Sequence, residues 1–360
     1  MARSDKDRFL KELAIRLALT RGMAPVPEVA VPSLSDLSDS VEVLTDLDVL
    51  GVQSGVDGVL RRTIFDCKSS TKMSPINRAF WAAGVREYAR CDEAFVILGN
   101  PAVVNHRLSA LSISVDLHDE KSFKELGRTI DVAFPADNCY QSSIDRWFDL
   151  ADRFSANSWA ALLLDLSRNT APLSQAPWST FRKILAELRK TKGHFDPTKD
   201  AHVAIFLDVL ASTFILWTAM GRDIRRFYNP SMDKTAFETV LRFYLWGGKE
   251  TYQIRHQLHE KANKEVVSPL ELPNWSEIVL FASLVVGAPQ NIFDCSLTCR
   301  ELAIRSANKP NADFDKALQG RFKSNSRIRQ FSLALSDTLV SAGGLPTDMK
   351  KRVQELFSSF

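Results

Sequence analysis

The chain has 360 residues, 45% of them apolar and 25% charged, with a formal net charge of +3. That length suits two domains and that composition is ordinary for a globular protein, which excludes a low-complexity chain and one that needs disulfide staples. Residues 1–135 carry 17 Lys and Arg against 19 Asp and Glu, and the remainder 29 against 24; the acidic first part suits a cation and the mildly basic second part suits phosphates, though neither imbalance argues nucleic-acid binding alone.

Residues 7–22 place Phe9, Leu10, Leu13, Leu17 and Leu19 around a helical stripe, and Gly22 supplies a stop. This N-terminal segment is charged and amphipathic, unlike an apolar signal core. Pro25, Pro27 and Pro32 then predict a loop, and residues 33–40 read as polar turn material. Val41–Val52 and Val59–Lys68 are strand-like runs joined at Gly55-Val-Asp-Gly58, an antiparallel hairpin. Ser74-Pro75 opens a helix that runs to about Arg90. Glu93–Gly99 reads as a buried strand, Pro101–Ala110 as a helix, Ile113–Leu117 as a strand and Lys121–Arg128 as a helix. The order α-β-β-α-β-α-β-α predicts an α/β layered domain with a mixed sheet over residues 1–135.

Strand signals stop after about residue 135, and residues 137–143 read as a linker. Helical patterns follow near 144–167, 179–193, 200–221, 234–247, 250–264, 275–287, 294–306, 311–319, 325–341 and 346–358, which predicts an all-helical domain over residues 136–360. Residues 203–220 are the most apolar run. They are barely long enough to span a membrane and contain Asp208, so a buried core helix is the better reading.

The five cysteines, Cys67, Cys91, Cys139, Cys295 and Cys299, are odd in number and contain no CxxC pair. Reduced packing thiols in a cytoplasmic protein are expected. His256 and His259 share a helical face but lack a third ligand at zinc-motif spacing, so they read as a polar face. Basic segments with aromatic neighbours, residues 181–192, 222–228 and 321–329, are suited to a phosphate backbone or to a solvated helix face. The chain has no Gly-rich phosphate loop and no nucleophile elbow.

The chemistry concentrates at Asp66-Cys67-Lys68. On a strand, positions i and i+2 point to one side, so the carboxylate and the ammonium project together. Asp48 lies on the preceding strand, just before the aliphatic run Val49-Leu50, with Asp46 two residues earlier as the alternative. Two carboxylates on adjacent strands suit an oxygen-seeking cation, Mg²⁺ or Mn²⁺. A neighbouring lysine can position or deprotonate a water and stabilise charge on a phosphate.

Over residues 5–130 these features resemble the PD-(D/E)xK nuclease superfamily, the restriction-endonuclease-like fold. The resemblance rests on Asp48, on the DxK form at Asp66 and Lys68, and on the alternating elements that follow; no proline precedes Asp48. It implies a Mg²⁺-dependent endonuclease acting on DNA, less often RNA. It also implies that Glu12 on the first helix orients a metal-bound water, although a solvated Glu fits that position equally well. The helical part is then expected to hold nucleic acid, a partner protein or a second copy. One site cuts one strand, so double-strand cleavage asks for a dimer or repeated action. A non-catalytic interaction protein with the same fold is the alternative.

Overall fold

The apolar stripe of the first segment becomes helix α1 (Arg8–Thr20), which buries Leu10, Leu13, Ile15 and Leu17. A computed structural model describes residues 6–33, 42–70, 73–262 and 269–360. Most of the polar stretch 33–40 and the last two residues of the segment 250–264 lie outside the described residues.

Five strands form one sheet in the order β1-β2-β3-β4-β5. They are β1 (Ala24–Pro32), β2 (Val43–Ser54), β3 (Leu60–Lys68), β4 (Glu93–Leu98) and β5 (Val115–Asp119). The first three pair antiparallel, and β3, β4 and β5 pair parallel. Parallel neighbours need crossover connections. Helices α2 (Pro75–Tyr88) and α3 (Val104–Leu111) supply them, and α4 (Glu120–Ile130) follows β5. Helix α2 starts where Ser74 and Pro75 predicted it: the Ser74 hydroxyl accepts from the Asn77 amide, and Pro75 takes the first turn. Helices α1 and α4 pack together, as do α2 and α3. The N-terminal part is therefore an α/β layer structure with a mixed sheet.

Strand β1 corrects the expected loop. Proline lacks an N–H for a ladder bond, so Pro25, Pro27 and Pro32 argued against a strand. But β1 is an edge strand, where one side of the ladder is open and proline is tolerated. The element order is therefore α-β-β-β-α-β-α-β-α.

The expected linker at 137–143 is also corrected. Tyr140, Gln141 and Ser142 are buried, and Trp147 Nε1 donates to the Gln141 carbonyl at 2.9 Å. The chain divides instead inside α5 (Ile144–Ser155): one compact unit holds Met1–Gly55, Leu60–Ala151 and Pro310–Ala317, the other Val56–Val59, Asp152–Lys309 and Leu318–Phe360.

Described elements of the second unit are helical. The pattern expected to run to 167 breaks into short turns, α6 (Ala161–Asp165) and α7 (Ala171–Leu173), around a π-helical turn at Leu166–Thr170. Then come α8 (Pro177–Thr191), α9 (Asp200–Phe227), α10 (Lys234–Leu245), α11 (Lys249–Ala262), α12 (Trp275–Gly287), α13 (Ile292–Ala307), α14 (Ala312–Ser324, shared between the units), α15 (Arg327–Gly343) and α16 (Asp348–Ser358). Helix α9 is long and apolar enough to cross a membrane, yet it is buried by protein along most of its length, packed against α13, α8, α12 and α15. Cys295 and Cys299 on α13 pack inward, with Cys299 Sγ 3.6 Å from Ser332 Oγ.

Inside this helical core, Asp208 is fully buried and pairs with Arg300. Ser167 in the π-turn donates to Asp208 at 2.7 Å, and Arg300 donates to Ser212 at 2.8 Å. Breaking such a pair from one side leaves a buried cation without its counter-ion, at a cost of about 3–5 kcal/mol. Asp208→Ala is therefore expected to lower unfolding free energy by about that amount, read by urea titration of tryptophan fluorescence; a loss near zero would refute this role.

Candidate active site

Strand β3 is buried from Arg62 through Cys67 and surfaces at Lys68, and β2 enters the core at Leu47 and Asp48. The register pairs Val49 with Phe65, and it pairs Pro27 with Val49 and Val29 with Leu47. Glu28, Asp48 and Asp66 therefore follow one another across three strands.

The structure brings Asp48, Asp66 and Lys68 together. Lys68 Nζ lies 2.9 Å from Asp48 Oδ2 and 3.8 Å from Asp66 Oδ1. The Cys67 backbone N–H also donates to Asp48 Oδ2, at 2.8 Å. Of the two candidates on β2, Asp48 is the one in this cluster, whereas Asp46 is exposed and pairs across to Ala30 on β1.

Glu12 is placed elsewhere. Its Oε1 accepts from Ser143 Oγ at 3.0 Å and from the Ile144 amide at 3.3 Å, and Arg16 lies 3.4 Å from its other oxygen. It serves the start of α5, not the Asp48 cluster. The physical reason is helical phase. Lys11, not Glu12, shares the buried stripe with Ile15 and Ala18.

Two cations escaped sequence reasoning. Lys11 Nζ bridges Glu28 Oε1 at 2.5 Å and Asp48 Oδ1 at 3.4 Å, its side chain 8% exposed. Arg78, in the first turn of α2, grips both oxygens of Asp66 and lies over the Trp81 ring at 3.8 Å. The i, i+4, i+7 phase of Lys11 with Ile15 and Ala18 was a legible signal; Arg78 had none beyond its position just after β3. Glu28 was missed with its strand. It holds φ +56°, left-handed backbone that is rare outside glycine and asparagine and costs about 1 kcal/mol or more. Asp7 joins the edge of the cluster: it accepts from the Ser69 amide at 2.6 Å and lies 3.9 Å from Lys68.

Burial dominates the electrostatics. It raises the Asp66 carboxyl above its ordinary range, outweighing the Arg78 hydrogen bonds and charge. Burial pulls Lys68 down, but the charge and hydrogen bond of Asp48, with Asp66, more than offset this and raise it above the ordinary lysine value. Lys68 is thus an ammonium at neutral pH. The buried Cys67 thiol is pushed well up by desolvation and by Asp48 and Asp66, so it is an inert packing group.

Asp48 and Asp66 are oxygen donors on neighbouring strands, a set that suits a hard cation which keeps several waters. Among the described residues, no group of three or more His, Cys, Asp or Glu is arranged to hold a metal ion. Such a cation would be held by Asp48 and Asp66, with the rest of its shell from water or phosphate.

The basic segments of the second unit are partly engaged internally. Arg182 lies over the Trp246 ring at 4.7 Å, Arg189 donates to the Ala342 carbonyl, and Arg329 donates to the Phe357 carbonyl. His256 lies 3.3 Å from Glu260 along the same helix.

Comparison with protein-family models, with curated proteins and with solved structures gives no match.

Arg78→Ala leaves Asp66 buried with a weaker counter-charge. Its carboxyl then rises further above the unfolded value. A group whose folded pKa is raised keeps its stability contribution at low pH and loses it as pH climbs through that folded pKa. The penalty for Arg78→Ala is expected to be small near pH 4 and to grow to about 3 kcal/mol at pH 8, measured by urea unfolding at both values. A penalty independent of pH would contradict it.

Proposed function

We propose that residues 1–135 form a PD-(D/E)xK (restriction-endonuclease-like) nuclease domain that hydrolyses phosphodiester bonds, DNA being favoured, with Asp48, Asp66 and Lys68 as its centre. The observation that carries this is the contact of Lys68 with Asp48 across two hairpin strands, at 2.9 Å, beside the buried Asp66. The α-β-β-β-α-β order of the mixed sheet around it supports the same reading.

Asp48 and Asp66 would hold Mg²⁺ or Mn²⁺. When bound, the ion lowers the pKa of a water and offsets charge on the scissile phosphate. Lys68 has a narrower role than base catalysis. Its neighbours keep it protonated, so it offers a fixed positive charge to a phosphate oxygen. The Cys67 amide holds the Asp48 carboxylate in place, and Lys11 keeps it paired from the α1 side. The helical domain would carry nucleic acid, a partner protein or a second copy of the chain.

One observation favours a second reading. Arg78 occupies both oxygens of Asp66, as a purely structural ion-pair cluster would. On that reading the chain is a catalytically inactive interaction protein.

A supercoiled-plasmid nicking assay separates the two. Nicking that requires Mg²⁺ or Mn²⁺ is expected, with labelled RNA cut more slowly than DNA. Lys68→Ala should lose about a hundredfold in rate, the scale of one electrostatic donor, while Lys68→Arg keeps the charge and loses less. No cleavage of either nucleic acid by the wild-type chain would sink the proposal. Calorimetry adds an independent arm: Arg78→Ala should bind Mn²⁺ more tightly than wild type, because it frees Asp66, and Asp66→Ala should abolish the heat. Equal affinity in all three would favour the structural cluster.

A further inference from the structure

The first unit also contains a cavity of about 490 Å³, and it is not at the Asp48 cluster. That volume is in the range of small-ligand sites. Its walls are mainly apolar, with Leu17 of α1, Leu126 and Ile130 of α4, and Leu111 of α3. Leu111 and Ile130 are about half exposed and form an open rim. Four polar side chains line the same space: Arg21, Arg107, Asp116 and His118.

Their arrangement is specific. Asp116 and His118 stand two residues apart on β5, so they share one side of the sheet. The β4–β5 register sets Phe95 beside Asp116. The Phe95 ring lies nearly parallel to His118, with centroids 6.1 Å apart, and beneath the Arg21 guanidinium at 5.7 Å. Flat π surfaces therefore sit next to a carboxylate.

The polar groups are incompletely used. Among the described residues, Asp116 makes no hydrogen bond or ion pair, although it feels the charges of His118, Glu93 and Arg21. Arg107 pairs with Asp119 through Nη2, but its buried Nε has no hydrogen-bond partner. His118 Nδ1 lies 3.2 Å from Ser122 Oγ. A buried donor without a partner is a cost that a ligand acceptor would remove.

An ionised carboxylate only accepts, and a guanidinium only donates. A planar ligand that satisfies both must offer two adjacent N–H donors and, on another edge, acceptors. Guanine does this: its ring N–H and exocyclic amine lie side by side, and its O6 and N7 accept from arginine. Adenine and cytosine set a ring acceptor beside the amine, so a carboxylate gains one bond and meets a lone pair. Uracil has a single N–H between two carbonyls.

We propose that this cavity binds a guanine base, with Asp116 accepting from its two N–H groups and Arg107 or His118 donating to its acceptor edge, between the apolar walls and the Phe95 ring. The cavity has room for the attached sugar, and its open rim admits a base that is free or part of a strand. The inference rests on this cavity alone and stands or falls independently of the nuclease reading.

The test is isothermal titration of the full chain with guanosine, inosine and adenosine. Inosine lacks only the exocyclic amine, so the comparison needs no variant. Guanosine is expected to bind saturably, inosine about tenfold more weakly and adenosine weaker still, the scale of one bidentate pair. Asp116→Asn should erase the difference between guanosine and inosine. An oligothymidylate carrying one guanine, set beside guanosine monophosphate, tells whether the base is taken from a strand or free; tighter binding of either supports the site. Absence of saturable guanosine binding by the wild-type chain, or equal affinity for guanosine and adenosine, overturns the proposal.

Discussion

Two carboxylates sit on neighbouring strands, largely withdrawn from solvent. Asp48 is 8% exposed and Asp66 2%. An ionised carboxylate in such a place is tolerable only with counter-charges close by. Each surrounding element supplies one. Helix α1 brings Lys11, β3 brings Lys68, and the first turn of α2 brings Arg78. The first turns of α1 and α2 are thus tied to one end of the sheet by charge as well as by apolar packing. Even the left-handed backbone at Glu28 fits this constraint, since it sets a carboxylate within 2.5 Å of the Lys11 ammonium.

The helical unit solves the same problem with different parts. Asp208 sits in the middle of an apolar helix, and the surrounding side chains cannot solvate it. Arg300 from α13 and Ser167 from the π-turn do. The π-turn widens the backbone at the place where the Ser167 carbonyl must also accept from Ser212, at 2.8 Å. An apolar run interrupted by one acid therefore favours the register of α9 on α13 that brings Arg300 to Asp208. Oily contacts alone would leave that register loose.

Much of this was legible in the chain. The hairpin, the acid-x-lysine strand end, the Ser74-Pro75 helix start and most helices of the second unit follow from periodicity and caps that act over a few residues. What was hidden depends on tertiary position. Prolines in β1 looked like loop residues because nothing local says that a strand will lie at a sheet edge. Tyr140–Ser142 looked like a linker because polar side chains carry no record of the partners that bury them. Asp48 was set ahead of Asp46 only by the aliphatic run that follows it, since both lie on one side of the strand. Glu12 was open between a water-orienting acid and a solvated one, yet the helical phase turns Lys11 inward and hands Glu12 to the start of α5. The cavity at β5 was illegible for the strongest reason: Arg21 follows α1 while Phe95, Arg107 and Asp116 come from three other elements, and no short spacing joins them.

Charge balance at the cluster bears on what could bind there. Lys11, Lys68 and Arg78 face Asp7, Glu28, Asp48 and Asp66, which leaves one negative charge among these described groups. A divalent cation alone turns the balance to one positive charge in a poorly solvated place. A phosphodiester arriving with it brings the balance back to zero. On the nuclease reading, cation and nucleic acid should therefore favour each other, and the cation alone should bind weakly while Arg78 holds Asp66. A purely structural cluster has no reason for such coupling. Its counter-charges are already present, and a phosphate would only compete with Asp48 for Lys68. The two readings thus differ in whether nucleic acid and metal strengthen each other at these residues, so that coupling, rather than affinity for either ligand alone, distinguishes a catalytic centre from an ion-pair clamp.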